Sequence, residues 1–123
     1  MKQLRALVVD DDPNIVSFFT FTLDLVGYQV EKAYDGKAAY EKLGQFRPDL
    51  IVLDMKLPDT FGKDILTFIR ADERLRNVFV ILATAEPQTV DPQTDKMANF
   101  VLSKPVDHDQ LRLLAERIFH ARR

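Results

Sequence analysis

The sequence contains no cysteine, which excludes disulfide bonds and thiolate chemistry. It has no long apolar run near its start, because only four apolar residues lie between Arg5 and Asp10, too few for a signal peptide or a membrane span. The formal net charge is only −2 although 29% of the residues are charged, so no overall field favours nucleic acid or a membrane surface. We therefore expect a soluble cytoplasmic domain whose partners are recognised at a local site.

The length and the apolar content of the chain favour a single folded unit. With 123 residues, 46% of them apolar, the chain is the size of one ordinary domain. We found no internal repeat, low-complexity tract or linker. We predict one domain over residues 1–123, either a complete protein or a segment cut from a longer one.

Five segments have the patterns of β-strands. Four are short unbroken apolar runs, which is typical of strands buried on both faces: Ala6–Val9, Leu50–Leu53, Val78–Ala83 and Phe100–Leu102. The fifth, Tyr28–Ala33, alternates apolar and polar residues, which indicates a half-exposed strand at the edge of a sheet.

Helical spacing of apolar residues appears between these strands. The clearest helix is predicted over Pro13–Val26, with Asp12 as its N-cap and Gly27 at its end. Three further helices are predicted. The first begins at Asp35-Gly36 and ends at Gly44, the second spans Gly62–Ala71, and the third follows Pro105 with Asp107 as its cap.

The segment Glu86–Ala98 predicts only a short or irregular fourth helix, because Pro87 and Pro92 interrupt it. Strands that alternate with helices indicate right-handed crossovers and a parallel sheet covered on both faces. We therefore predict an α/β fold with a five-stranded parallel sheet in the flavodoxin-like order 2-1-3-4-5. Ligands of such folds bind beyond the carboxyl ends of the strands.

Charged and hydroxyl residues follow four of the predicted strands, namely Asp10-Asp11-Asp12, Asp54, Thr84 and Lys104-Pro105. In a parallel sheet these positions share one edge. Three carboxylates that lie close together repel each other unless a cation binds them, and hard oxygen ligands suit Mg²⁺. A lysine and a hydroxyl group at the same edge supply the positive charge and the hydrogen bond that a phosphoryl group needs.

Each of these residues also has an ordinary structural interpretation. An Asp before a helix is most often an N-cap, and we assign that role to Asp12. Taken singly, Asp54 fits a turn before Pro58, Thr84 fits a loop, and Lys104 fits a solvated loop lysine. The coincidence of all of them at one predicted edge favours a functional site.

The chain resembles the receiver domains of two-component response regulators over almost its whole length. The segments that carry the resemblance are LVVDDDP, IVLDMKLPDTFG, LATAEP and LSKP, in this order. Each ends a different predicted strand. Together they match the acidic pair, the phosphoacceptor aspartate, the hydroxyl residue and the Lys-Pro of that family.

The resemblance implies a magnesium site and a phosphoacceptor. Asp54 would accept the phosphoryl group, and the carboxylates of Asp11 and Asp54 and the main-chain carbonyl of Lys56 would bind Mg²⁺. Asp10 would hold a metal-bound water. The resemblance implies no other cofactor.

The same resemblance implies that Thr84 bonds a phosphoryl oxygen. It also implies that Lys104 pairs with Asp54 before phosphorylation and with the phosphoryl group after it. The donor would be a phosphohistidine on a sensor histidine kinase or on a histidine phosphotransfer protein, and small donors such as acetyl phosphate would also serve. The domain would then switch its surface to control an output domain or protein. It would catalyse its own phosphorylation and dephosphorylation without being a turnover enzyme. We expect no direct contact of this domain with nucleic acid or a membrane, and a homodimer formed on phosphorylation is left open.

Two rival functions remain. Asp10 and Asp12 also fit the Asp-x-Asp motif of haloacid-dehalogenase-like phosphatases, although Pro13 favours a helix cap for Asp12, the chain is short for that family, and Asp54 would lack a role. The second rival is a receiver-like module that binds partners without phosphorylation. The intact set of site residues argues against it.

One position departs from the family. Receivers commonly carry Tyr or Phe three residues before the strand-5 lysine, but here that position is Val101 and the aromatic residue is Phe100. Strand alternation should point Phe100 to the opposite face. We therefore expect phosphorylation to be read out by the loop between Thr84 and Asp95 rather than by an aromatic side chain.

Overall fold

The computed structural model describes residues 3–122, in which five strands alternate with five α-helices. Met1, Lys2 and Arg123, which the predicted domain includes, lie outside the described residues. The strands are β1 (Arg5–Val9), β2 (Gln29–Ala33), β3 (Leu50–Asp54), β4 (Phe79–Thr84) and β5 (Phe100–Ser103). The helices are α1 (Pro13–Val26), α2 (Gly36–Gln45), α3 (Gly62–Ala71), α4 (Pro92–Met97) and α5 (His108–Arg122). None of the described helices combines the length and apolarity needed to cross a membrane.

The strands form one parallel sheet in the order β2-β1-β3-β4-β5, which confirms the predicted topology. The register is continuous across the centre, where Ala6 pairs with Val30 on one side and with Leu50 on the other. Each strand differs from its predicted bounds by at most one residue at either end. The alternating strand β2 lies at an edge, as predicted.

Two apolar layers cover the two faces of the sheet. Alternate residues of β1 show the division, because Ala6 and Val8 pack with α1 and α5 whereas Leu7 and Val9 pack with α2 and α3. This two-sided burial explains why the central strands are unbroken apolar runs. Full burial of a Leu, Ile or Val side chain contributes about 1.5–3 kcal/mol, so both layers stabilise the sheet.

The ends of α1 follow from local chemistry. Asp12 Oδ1 accepts a hydrogen bond from the Asn14 N–H at 2.9 Å, and Gly27 ends the helix with a positive φ of 121°. Both predicted bounds of α1 are confirmed. Helix α2 continues one residue past Gly44, the predicted end, because Phe46 caps it with an N–H bond to the Lys42 carbonyl.

Strand β5 is not buried on both faces, so that part of the prediction is wrong. Phe100 is 42% exposed and Val101 is half-buried, and only Leu102 is fully in the core. The physical reason is that β5 is the second edge strand and that α4, with six residues, covers little of it. The opposite facing of Phe100 and Val101 is confirmed: the Phe100 ring lies 5.8 Å from that of Phe79, on the α1–α5 face, whereas Val101 packs on the other face.

The segment after β4 is short and irregular, as predicted. A 3-10 helix over Pro87–Thr89 precedes α4, and each begins at one of the two prolines. Asp91 caps α4 by accepting a hydrogen bond from the Thr94 N–H at 2.8 Å. The 3-10 helix itself has no buried residue, so these three residues are weakly tied to the core, whereas Thr94 anchors α4 by being buried.

Candidate functional site

Three aspartates meet at the carboxyl edge of the sheet. Asp10 follows β1 and Asp54 ends β3, and these neighbouring parallel strands bring their side chains together. Carboxylate oxygens of Asp10, Asp11 and Asp54 lie within 4.8 Å of one another. Asp10 and Asp54 are buried, whereas Asp11 is exposed. This is a compact set of hard oxygen donors.

Lys104, which follows β5, is the cation of this cluster. Its Nζ lies 2.7 Å from Asp10 Oδ2 and 3.2 Å from Asp54 Oδ1, so it pairs with both buried carboxylates. The Lys104 N–H also donates to the Thr84 carbonyl at 2.8 Å, which fixes the base of the side chain. Burial lowers the pKa of Lys104, but the hydrogen bond to Asp10 and the charges of both aspartates outweigh it and raise the pKa.

Burial and a neighbouring carboxylate both disfavour the charged form of Asp54. Burial raises the pKa of Asp54, and the charge of Asp10 raises it further, against the opposing effects of Lys104 and of the Lys56 main-chain N–H. One lysine therefore does not neutralise the aspartates around it. The site has an excess of negative charge, which suits a cation.

The three consecutive aspartates differ in their surroundings. Asp10 has both oxygens engaged, because Oδ2 pairs with Lys104 and Oδ1 accepts the Asp12 N–H at 3.0 Å. Asp12 caps α1 and is not a member of the carboxylate cluster found among residues 3–122. The second aspartate of an Asp-x-Asp phosphatase motif would have to face the reacting group, so this arrangement argues against that rival.

Thr84 lies beside the cluster at the end of β4. Its side chain is buried, and Oγ1 accepts a hydrogen bond from the Glu86 N–H at 3.0 Å. The cleft that contains the site has a volume of about 490 Å³. Its lining residues are Asp11, Asp54, Lys56, Leu57, Pro58, Thr84, Ala85, Glu86 and Lys104.

The loop after β3 returns sharply to α3. Lys56 and Phe61 pair across it as an antiparallel bridge, and the Gly62 N–H donates to the Met55 carbonyl at 2.6 Å. A Cβ on Gly62 would lie only 2.3 Å from the Asp54 carbonyl oxygen, so the loop requires glycine there. The sequence pattern alone marks Gly62 only as the start of a helix. Its position in a turn after Pro58 is the sequence signal that indicates a need for glycine there.

The geometry brings together the residues that the receiver resemblance assigns to the site, whereas Asp12 caps α1. Asp10, Asp11 and Asp54 offer oxygen ligands whose number and hardness fit Mg²⁺, and Lys56 lines the same cleft. Lys104 and Thr84 place a positive charge and a hydroxyl group next to them. Such a site suits an anionic oxygen-rich group that is held together with a divalent cation.

Comparison with known proteins agrees with this chemistry. The sequence profile of the family described as "Response regulator receiver domain" matches residues 6–116. A curated relative, "DNA-binding dual master transcriptional regulator RpaA" from Synechocystis sp., is 36% identical over 109 residues, which cover 87% of this chain and 45% of that protein. The chain thus spans about half the length of this relative.

Solved structures match over nearly the full chain. Chemotaxis response regulator CheY4 of Vibrio cholerae has a TM-score of 0.85 at 28% identity and covers 95% of this chain and 99% of its own. Response regulator protein TrrA from Thermotoga maritima, solved "in complex with Mg(2+)-BeF", has a TM-score of 0.84 at 28% identity and covers 94% and 99%.

Proposed function

The chain belongs to the receiver-domain family of two-component response regulators, and from this premise we propose that Asp54 is its phosphoacceptor. The family is a signalling domain and not a turnover enzyme. The observation that carries the proposal is the position of Asp54, which lies 3.2 Å from Lys104 and within 4.8 Å of two other carboxylates.

Asp54 has the properties of a nucleophile for phosphoryl transfer. Its carboxylate is an anion that needs no general base, and it lines an open cleft. One Asp54 oxygen would form a bond to phosphorus as the bond from phosphorus to the donor's imidazole nitrogen breaks, and the donor histidine leaves. Such transfer depends mainly on positioning and on neutralising charge.

The residues that would hold Mg²⁺ are Asp11, Asp54 and the main-chain carbonyl of Lys56, with Asp10 acting through a water. Asp10 suits the indirect role because both of its oxygens already accept hydrogen bonds. When bound, Mg²⁺ supplies positive charge that offsets the carboxylates and the oxygens of the phosphoryl group. The similarity to TrrA, whose structure was solved with Mg(2+)-BeF, supports this choice of metal.

Lys104 and Thr84 would bind the transferred group. Lys104 pairs with Asp54 in the unmodified protein, and its ammonium group would move to a phosphoryl oxygen after transfer. The Thr84 hydroxyl can donate to another phosphoryl oxygen while its bond from the Glu86 N–H is stretched or lost. A local change of charge would in this way displace the loop after β4.

The partners follow from the chemistry of transfer. The donor would be a phosphohistidine on a sensor histidine kinase or a histidine phosphotransfer protein in the cytoplasm. The downstream target would be an output domain or protein, since the chain matches only part of its longer relative. That relative is described as DNA-binding. We propose that DNA binding in that relative belongs to the part of it that this chain does not match.

Incubation with acetyl phosphate and Mg²⁺, followed by intact mass measurement, tests the proposal. We expect the gain of one phosphoryl group in the wild type and none in Asp54→Asn, because the amide is not an anionic nucleophile. Turnover of phosphate esters would indicate the phosphatase, and an unmodified wild type would indicate the binding module. Phosphorylation of Asp54→Asn at the wild-type rate would refute the assignment of Asp54.

A further inference from the structure

The tip of the loop between β3 and α3 is bound to the start of α2. Asp59 Oδ1 accepts a hydrogen bond from the Gly36 N–H at 2.7 Å, and Asp59 Oδ2 accepts one from the Lys37 N–H at 3.0 Å. These are the first two residues of α2, whose N–H groups have no partner within the helix. The bonds from Gly36 and then from Lys37 lower the pKa of Asp59. The carboxylate therefore binds across 22 or 23 positions of sequence.

The same contact is visible in the packing of Gly36. A Cβ on Gly36 would lie 2.3 Å from Thr60 Cγ2 and 3.0 Å from Asp59 Oδ1. The tip of the loop thus rests directly against the first turn of α2. Gly36 allows this approach because it has no side chain.

Displacement of the tip would reach Lys56 because the loop is closed by two main-chain hydrogen bonds. The Leu57 N–H donates to the Thr60 carbonyl at 3.0 Å and the Gly62 N–H donates to the Met55 carbonyl, and these two bonds form the antiparallel bridge between Lys56 and Phe61. Asp59 and Thr60 are therefore coupled to the main chain of Lys56 within a few bonds. Leu57 is also buried in the core, which holds the same segment from the other side.

We propose that Asp59 is a positioning residue for the metal site: by binding the first turn of α2 it holds the loop so that the Lys56 carbonyl faces the cation. This inference rests on the proposed function, because it uses Lys56 as a metal ligand. Asp59 itself lies outside the cluster formed by Asp10, Asp11 and Asp54. It acts only through the loop.

Titration with Mn²⁺, with the free ion followed by electron paramagnetic resonance, measures metal affinity without phosphorylation. Removal of a group that orients a metal ligand commonly weakens metal binding by about 10-fold or more, so we expect Asp59→Ala to raise the Mn²⁺ dissociation constant about tenfold. Asp59→Asn retains one oxygen acceptor and should give an intermediate value. In phosphorylation by acetyl phosphate, the half-saturating Mg²⁺ concentration should rise for Asp59→Ala while the rate at saturating Mg²⁺ stays near that of the wild type.

Asp35→Ala is the matched control. Asp35 Oδ1 accepts the Ala38 N–H at 2.8 Å, so this variant also removes a carboxylate from the start of α2 but leaves the loop bound. We expect it to lower stability without changing the Mn²⁺ dissociation constant. The inference is overturned if Asp59→Ala binds Mn²⁺ as the wild type does, or if both variants weaken binding equally. A wild type that binds no Mn²⁺ would instead overturn the proposed function itself.

Discussion

Asp54→Asn should stabilise the protein in the absence of metal, although it abolishes phosphorylation. At an effective dielectric constant of about 20, two like charges at the 4.8 Å outer limit of the cluster repel by about 3.5 kcal/mol, and the Lys104–Asp54 pair at 3.2 Å attracts by about 5 kcal/mol. Asp10 and the exposed, screened Asp11 together nearly cancel Lys104, so burial of the Asp54 charge decides the sign. Burial, and after it the charge of Asp10, raise the pKa of Asp54, so folding disfavours the charged form of this carboxyl group.

The variant should lose little in exchange. The introduced amide would keep an oxygen that accepts from the Lys56 N–H, and Lys104 would keep its bond to Asp10 at 2.7 Å. No buried charge is therefore left without a partner. We expect a gain of about 0.5–2 kcal/mol, the range that single stabilising changes commonly yield.

Urea unfolding followed by circular dichroism suits this test, because the sequence has no tryptophan for fluorescence. In excess EDTA the midpoint for Asp54→Asn should rise with an unchanged denaturant slope. Saturating Mg²⁺ should narrow the difference, because only the wild type gains stability from tight metal binding. Asp12→Asn is the control, since Asn caps a helix as well as Asp does and Asp12 lies outside the cluster. A variant less stable than the wild type in EDTA would refute this reasoning.

Three further predictions concern the loops around the site. Lys56→Ala should shorten the lifetime of the phosphorylated form in a phosphate-release assay, because the Lys56 side chain is exposed at the cleft and can obstruct the attacking water or contact the phosphoryl group. An unchanged or longer lifetime would contradict this prediction. Gly62→Ala should lower the free energy of unfolding in urea by about 1–3 kcal/mol, because its Cβ would overlap main-chain atoms. Gly44→Ala has open space around it in α2 and should raise the free energy of unfolding by about 0.5–1 kcal/mol, so similar effects of the two variants would be evidence against the overlap. Structures with and without beryllofluoride and Mg²⁺ should differ in the loop between Thr84 and Asp95 and not in the rotamer of Phe100.

Most of the fold could be predicted because local and global preferences agree. The caps of α1, Asp12 and Gly27, are local chemistry that a sequence displays directly. The unbroken apolar runs of β1 and β3 reflect burial on both faces, and alternation in β2 reflects an edge. Strands separated by helices then leave few possible topologies.

The errors arose where tertiary context decides. Phe100–Leu102 has the same apolar pattern as a central strand, but its exposure depends on the edge position of β5 and the shortness of α4. The hydrogen bonds that Asp59 accepts from Gly36 and Lys37 join segments far apart in the chain, and an exposed Asp after a Pro is ordinary in a turn. The site residues could be chosen because the sheet edge gathers strand ends. No comparable rule predicts from the sequence which residues a loop will contact.

We expect the loop after Thr84 to be the readout, because this chain has Val101 where receivers commonly carry Tyr or Phe. Val101 packs on the sheet face that α2 and α3 cover, and a β-branched side chain has little rotamer freedom. The Phe100 ring lies next to that of Phe79 on the opposite face. We therefore expect neither side chain to follow a movement of Thr84 by swinging inward. The Glu86 N–H, in contrast, is bonded to Thr84 Oγ1, so any movement of that hydroxyl toward a phosphoryl oxygen acts on the loop main chain. The 3-10 helix that follows buries no residue, so we expect its displacement to cost little free energy. If the loop stays fixed in the beryllofluoride complex while Phe100 changes between buried and exposed rotamers, readout through the loop is wrong.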